Sequence, residues 1–297
     1  DAAKMSPSRA VSETFEPGSV GKVISMSGYL QMGLHKMSDQ LSVPDHITQE
    51  GQTYKDSFDH GTERWTLAGI LQNSSNVGMI MAGENYPDEQ RYEYLTKFGI
   101  GQPTGLNLPG ESSGLLTNPS AWDLRTRNTI LFGQGYTVNA LQLNNVVATI
   151  ANKGVKQQQS IIKSTTDANG KTTESKKGEA TRVVDEKVAS DMMNAMESVA
   201  EGYNKFVKVD GYRMAAKSGT AEVQGSDGTL SSIISDYSVV IPADNPRYAV
   251  TVVMKDPNGV FGGLTAGPVS AQICEFLMQK YEVPVSGPRK NAIPVTW

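Results

Sequence analysis

Cysteine is all but missing from this chain of 297 residues, Cys274 being the only one. An intrachain disulfide and any Cys-x-x-Cys metal or redox motif are therefore excluded. Cys274 falls in an amphipathic pattern, which predicts a buried structural thiol. Histidine is scarce too. His35, His46 and His60 form neither a His-x-His nor a His-Glu-x-x-His pair, so a metal site would have to be gathered from distant segments, and none is expected. No apolar run approaches the roughly 20 residues that span a membrane. Neither sign of charge dominates: 27 Lys and Arg face 31 Asp and Glu, and a net charge of −4 argues against a general nucleic-acid binder. Glycine-rich dinucleotide and P-loop signatures are absent as well, and no cofactor is expected.

What is present reads as a folded α+β chain, 38% apolar and 20% charged. Val23, Ile24, Met26, Leu30 and Leu34 recur at spacings of about three and four, predicting a buried helix from near Ser19 to Leu34. The stretch from Thr66 to Gly83 predicts two short helices meeting around Gln72–Asn76, and Asp88–Phe98 a helix ended by Gly99. The segment Gly99–Gly114 reads as an ordered irregular loop. Val138–Asn152 returns to helical spacing, Asp167-Ala168-Asn169-Gly170 reads as the tip of an exposed hairpin, and Asp185 as the cap of a helix running to Ala200. Beyond that, Val207-Lys208-Val209 and Tyr212–Ala216 read as extended. Strands are expected at Tyr237–Ile241 and Tyr248–Met254, with a final helix, Gly267–Tyr281, across them. The expected architecture is an antiparallel sheet covered by helices (about 154–297) and a mostly helical part (about 23–153), with the site between them.

Chemistry enters at Phe15-Glu16-Pro17-Gly18-Ser19-Val20-Gly21-Lys22. One reading is local: Pro17-Gly18 turns the chain and Ser19 caps a helix. The other uses the serine as a nucleophile. A lysine whose ammonium is destabilised by burial or by a nearby positive charge can take a serine's proton, and an i, i+3 spacing at a helix start puts both on one face. Backbone N–H groups there would also face a developing oxyanion. The spacing alone is weak, since Ser160-Ile161-Ile162-Lys163 repeats it where the chain leads into the hairpin; that copy reads as chance. Gly110-Glu111-Ser112-Ser113-Gly114 imitates a hydrolase nucleophile elbow, but it lacks the flanking strand and helix and has no histidine after it. Two further motifs shift the balance. Ser74-Ser75-Asn76 sits at the helix junction, where a hydroxyl and an amide can converge on a cleft. Lys217-Ser218-Gly219-Thr220 sets a cation, two hydroxyls and a glycine along a strand, suited to binding a carboxylate and to close approach of a ligand backbone.

In the order SxxK, SxN, K[ST]G the chain resembles the transpeptidase domain of class B penicillin-binding proteins, in the penicilloyl serine transferase superfamily. The resemblance runs from Phe15 to the C-terminal helix. It includes the Glu16-Pro17-Gly18-Ser19 surroundings, the Phe98–Glu111 loop and the Phe132–Leu143 segment, and it is nearest the monofunctional, FtsI-like septal type, with wording that hints at an actinobacterial relative. It implies a peptidoglycan D,D-transpeptidase acting in cell division and acylated by β-lactams. In that scheme Ser19 is the nucleophile and Lys22 its base. Ser74 relays a proton to the leaving D-alanine, Asn76 holds Lys22 and the substrate amide, and Lys217 adds positive potential. Ser218, Gly219 and Thr220 bind the substrate, and the backbone N–H groups of Ser19 and Thr220 form the oxyanion hole. The implied partners are stem peptides with D-Ala-D-Ala donors and amine acceptors, β-lactams, and divisome membrane proteins. The implied location is the extracytoplasmic face of the membrane. Family members carry about two strands before the SxxK helix, whereas only 18 residues precede Ser19 here. Those strands, a pedestal domain and a membrane anchor are expected to lie outside this chain. The same motifs admit a D,D-carboxypeptidase or serine β-lactamase, and, outside catalysis, a β-lactam sensor or idle divisome scaffold.

Overall fold

Three C-terminal segments, Ala215–Gln224, Leu230–Ile241 and Tyr248–Lys255, the last two rich in β-branched and aromatic residues, pair into one antiparallel sheet with the second in the middle, in the computed structural model. It describes residues 6–176, 178–224, 230–258 and 261–297. The fold is α+β. In chain order its elements are α1 (Arg9–Ser12), a 3-10 turn (Gly18–Gly21), α2 (Lys22–Gln31), β1 (Gln40–Val43), β2 (His46–Gln49), β3 (Gln52–Lys55), β4 (Glu63–Thr66), α3 (Leu67–Gln72), α4 (Asn76–Ala82) and α5 (Asp88–Phe98). Then come α6 (Leu124–Thr129), α7 (Ala140–Ala151), β5 (Val155–Gln157), β6 (Ser164–Thr166), β7 (Thr172–Glu174), β8 (Ala180–Arg182), α8 (Glu186–Gly202), β9 (Ala215–Gln224), β10 (Leu230–Ile241), β11 (Tyr248–Lys255) and α9 (Gly262–Lys280).

Strand alternation gives the sheet two different faces. Ala216, Tyr237, Val239 and Ile241 pack with Ala266, Cys274 and Met278 of α9 in one apolar cluster. The Cys274 thiol is buried there, and burial raises its pKa to about 12. Ala215 and Val240 face the other way, into a larger core shared with α2, α3, α7 and α8. Lys217, Gly219, Asp236 and Ser238 fall in the same alternation as Ala215 and Val240, so they lie on the face turned towards that larger core. Helix α2 is the centre of the helical group, with every residue from Lys22 to Tyr29 buried.

Where local chemistry decides, the expected elements appear. α5 spans Asp88–Phe98 and ends on Gly99 at φ 99°. α7 starts on a capping box between Asn139 and Gln142, and the tip at Asp167–Gly170 joins β6 to β7. Other expectations need correction. Ser19 caps nothing: it sits inside the 3-10 turn, and α2 begins at Lys22 and stops at Gln31, short of Leu34. Asp185 holds the cap position of α8 but its side chain makes no cap bond, accepting instead from the Gln31 amide at 3.0 Å and tying α2 to α8. Val207–Val209 is no strand; Val209 makes an isolated bridge to Tyr212. The part read as helical also contains two small antiparallel pairs, β1 with β4 and β2 with β3.

Candidate active site

Three separate pieces of chain meet at Lys22. The first is its own 3-10 turn, which glycines press against the rest of the protein. Gly18 has φ 50°, and a Cβ there would lie 2.6 Å from the Thr220 carbonyl oxygen of β9. No other residue fits that approach without moving β9. The second is the α3–α4 junction. Thr66 caps α3, and Ser75, the middle residue of Ser-Ser-Asn, caps α4 by accepting from Gly78 N at 2.8 Å. Ser74 therefore lies between two capped helices in a left-handed conformation, φ 57°, that a serine rarely adopts. The turn delivers both its hydroxyl and its carbonyl to the site. The third piece is the edge strand β9.

The Lys22 amine is wholly buried and lies 2.6 Å from Ser19 Oγ, 2.7 Å from Asn76 Oδ1, 2.8 Å from the Ser74 carbonyl oxygen and 3.3 Å from Ser74 Oγ. The Phe132 ring centroid stands 5.9 Å from it. Lys217, also wholly buried, donates to Ser74 Oγ at 2.9 Å and to the Ser218 carbonyl at 3.0 Å. Ser74 Oγ thus links the two lysines. Burial, and then the charge of Lys217, pushes the pKa of Lys22 well below the usual lysine value, with Asp56 opposing. Burial lowers Lys217 to about 7, with Asp236 opposing.

The sequence-predicted residues do come together. Ser19, Lys22, Ser74, Asn76 and Lys217 form one continuous hydrogen-bond network. Ser218 and Thr220 stand beside it on β9 with alternative partners. Ser218 Oγ pairs with Tyr203 OH at 3.1 Å, and Thr220 Oγ1 accepts from Gly262 N at 3.2 Å, which leaves the Thr220 hydroxyl proton free to donate. Gly219 leaves room for protein: a Cβ there would meet the Asp236 carboxylate and the Pro17 carbonyl oxygen. The imitation elbow is a loop in which Ser112 N donates to Val11 O. No group of three or more His, Cys, Asp or Glu poised to hold a metal occurs among the described residues.

Sequence reasoning missed Tyr203, Asp56, His60 and Asp236. Asp236 had a signal, a charged residue at an inward position of an apolar strand. It pairs in register with Gly219, is fully buried, and neither carboxylate oxygen has a hydrogen-bond partner. Burial raises its pKa well above the usual carboxylate value, against the pull of Lys217.

Two buried lysines joined through half-buried serines beside an edge strand are the site plan of an acyl-transfer enzyme with a serine nucleophile. The chain belongs to the penicillin binding protein transpeptidase domain family, which matches residues 3–275. It is 34% identical over 291 residues to penicillin-binding protein PbpB of Mycolicibacterium smegmatis, covering 93% of this chain and 45% of that protein. It is 35% identical to peptidoglycan D,D-transpeptidase FtsI of Escherichia coli K12, covering 89% of this chain and 44% of the relative. The chain thus spans a little under half the length of these relatives. Among solved structures, a peptidoglycan synthetase from Bifidobacterium adolescentis superposes with a TM-score of 0.95 at 69% identity, covering all of this chain and 55% of that one. Penicillin-binding protein 3 of Mycobacterium tuberculosis in complex with ampicillin superposes with a TM-score of 0.90 at 33% identity, over 97% of this chain and 67% of that one.

Proposed function

We propose that this chain is the catalytic unit of a peptidoglycan D,D-transpeptidase that works through a Ser19 acyl-enzyme. The observation that carries this reading is the set of partners around Lys22. Ser74 O and Asn76 Oδ1 can only accept, and Asn76 is oriented by its own Nδ2, which donates to Lys55 O at 3.2 Å. Those two acceptors use both N–H groups of a neutral amine, and the lone pair that remains points to Ser19 Oγ. Burial and the neighbouring Lys217 charge favour that neutral form. Lys22 is therefore built to receive the Ser19 proton.

In the proposed reaction Ser19 Oγ attacks the carbonyl of the penultimate D-alanine while its proton passes to Lys22. The backbone N–H groups of Ser19 and Thr220 hold the oxyanion. The proton then moves through Ser74 Oγ to the departing D-alanine nitrogen, leaving an ester on Ser19. An acceptor amine from a second stem peptide attacks that ester, loses its proton by the reverse route and forms the cross-link. Lys217 and the Ser218 and Thr220 hydroxyls hold the donor carboxylate, or that of a β-lactam whose opened ring stalls the ester. The substrate places the work at the extracytoplasmic face of the membrane. No helix among the described residues is long and apolar enough to cross that membrane; contact with division-machinery membrane proteins is part of the same proposal. The test is labelling with a fluorescent penicillin: the parent chain labels stoichiometrically and Ser19→Ala does not. Equal labelling of both refutes the assignment.

A further inference from the structure

Against the backbone of the Ser-Ser-Asn junction lies a pair of ionisable groups with no assigned role. Asp56 follows β3 and His60 lies four residues on, with side chains 1% and 5% exposed. Asp56 Oδ1 accepts from the N–H groups of Asn76 and Val77, at 2.6 and 3.0 Å, so it holds the first turn of α4. Its Oδ2 faces His60 Nε2 at 3.0 Å. The other ring nitrogen, Nδ1, faces the Gly61 carbonyl oxygen at 2.7 Å. With Asp56 a carboxylate, as its two accepted N–H bonds suit, both partners of the imidazole only accept, so both nitrogens carry hydrogen: the geometry is that of an imidazolium. Phe58 and Trp65 enclose the ring, each with its centroid 5.0 Å away. The acids facing it are Asp56 and, farther off, Asp45, whose Oδ1 meets His46 Nδ1 at 2.7 Å.

We propose that Asp56 and His60 are a positioning pair for the catalytic centre, with the imidazolium orienting the carboxylate that fixes Asn76 on Lys22 and shielding Lys22 from that carboxylate's charge. Two links support this. Asn76 is held at its backbone N by Asp56 and at its side chain by Lys55 O and Lys22 Nζ, so any rotation of the carboxylate is felt at the amine. The Asp56 charge also reaches Lys22 and favours its protonated, non-basic form. A neutral partner at position 60 leaves that charge uncompensated. Burial works against the imidazolium, but the Asp56 and Gly61 hydrogen bonds and the charges of Asp56 and Asp45 outweigh it, and His60 is raised above its free value of 6.5.

The inference rests on Lys22 being the base, so its test has one arm that acylation does not touch. In that arm, long-range proton–nitrogen NMR of the parent chain reads the three histidines against His60→Gln. Both ring nitrogens of His60 are expected to carry protons above pH 6.5, its free value. A neutral His60 below that pH overturns the proposal, whatever becomes of the transpeptidase reading. In the second arm, the rate of acylation by a chromogenic cephalosporin is followed against pH for the parent and His60→Gln. The first-order acylation constant should fall about 10-fold to 100-fold with the dissociation constant little changed. The acid limb should move to higher pH, because Lys22 then gains its proton more readily. An unmoved limb overturns the proposal, even if the rate falls, since it marks a purely structural loss. Should that variant not fold, His35→Gln and His46→Gln identify the His60 signal by elimination, and the NMR arm decides alone. A parent chain that is never acylated contradicts the proposed function and leaves the His60 reading to NMR.

Discussion

The chain spells Ser-x-x-Lys twice, at Ser19–Lys22 and at Ser160–Lys163, and the two copies share nothing beyond their spacing. In the first, the lysine is wholly buried at the head of α2 and its amine meets groups 52 and 54 residues away. In the second, both residues are exposed just before β6, Ile161 and Ile162 are 67% and 56% exposed, and the serine hydroxyl bonds only to the backbone of Ile162, donating to its O and accepting from its N. The contrast shows what activates a serine. The spacing puts the hydroxyl near an amine, but a lysine becomes a base only when it is stripped of water and its N–H groups are taken up by fixed acceptors. Those acceptors come from the α3–α4 junction, and the repelling charge comes from β9.

The comparison can be broken most forcefully at the lysines. Lys22→Met should slow penicillin acylation by about 10²-fold to 10⁴-fold, the usual share of a general base, whereas Lys163→Met should leave the rate at the parent value. Similar losses in both, measured by stopped-flow labelling, would show that burial is not what separates the copies.

A smaller effect sharpens the electrostatic half of the contrast. Lys22 must be neutral to accept a proton, so the rate is lost as pH falls through its depressed pKa. Lys217 must stay charged to attract a carboxylate, so the rate is also lost as pH rises through about 7. The acylation rate should therefore fall on both the acid and the alkaline side, and a flat profile between about pH 5 and about pH 9 would contradict it. The smallest effect is expected at the rim. Tyr203→Phe removes the partner of the Ser218 hydroxyl and should change the β-lactam dissociation constant by about 3-fold to 10-fold, leaving the acylation step intact. A loss in the acylation step instead would place Tyr203 nearer the chemistry than its contacts do.

Legibility in the sequence followed how local each cause is. α5, α7 and the β6–β7 hairpin were readable because their caps and turns lie within the segments themselves. The order of the three motifs was readable because each needs a particular residue type. Ser75 as the true cap, with Ser74 displaced into a left-handed turn, was not, because either serine fits a cap and only packing chooses. Asp185 gave up its cap bond to Gln31, which lies 154 residues away, and no local rule anticipates such a partner. Asp56 and His60 are exposed-looking residues in a polar stretch of sequence, buried because the start of α4 closes on the carboxylate and the Phe58 and Trp65 rings on the imidazole. Asp236 was hidden differently: alternation with Ser238 and Val240 marks it as inward, but the strand expected at Tyr237–Ile241 in fact runs from Leu230, and the shorter span left Asp236 outside it.

The most direct test of the account is to expose the chain to benzylpenicillin, digest it and map the adduct by mass spectrometry. One penicilloyl group per chain is expected, carried by the peptide containing Ser19, and none on the peptide containing Ser160. An adduct on any other residue, or a folded chain with no adduct, would contradict it.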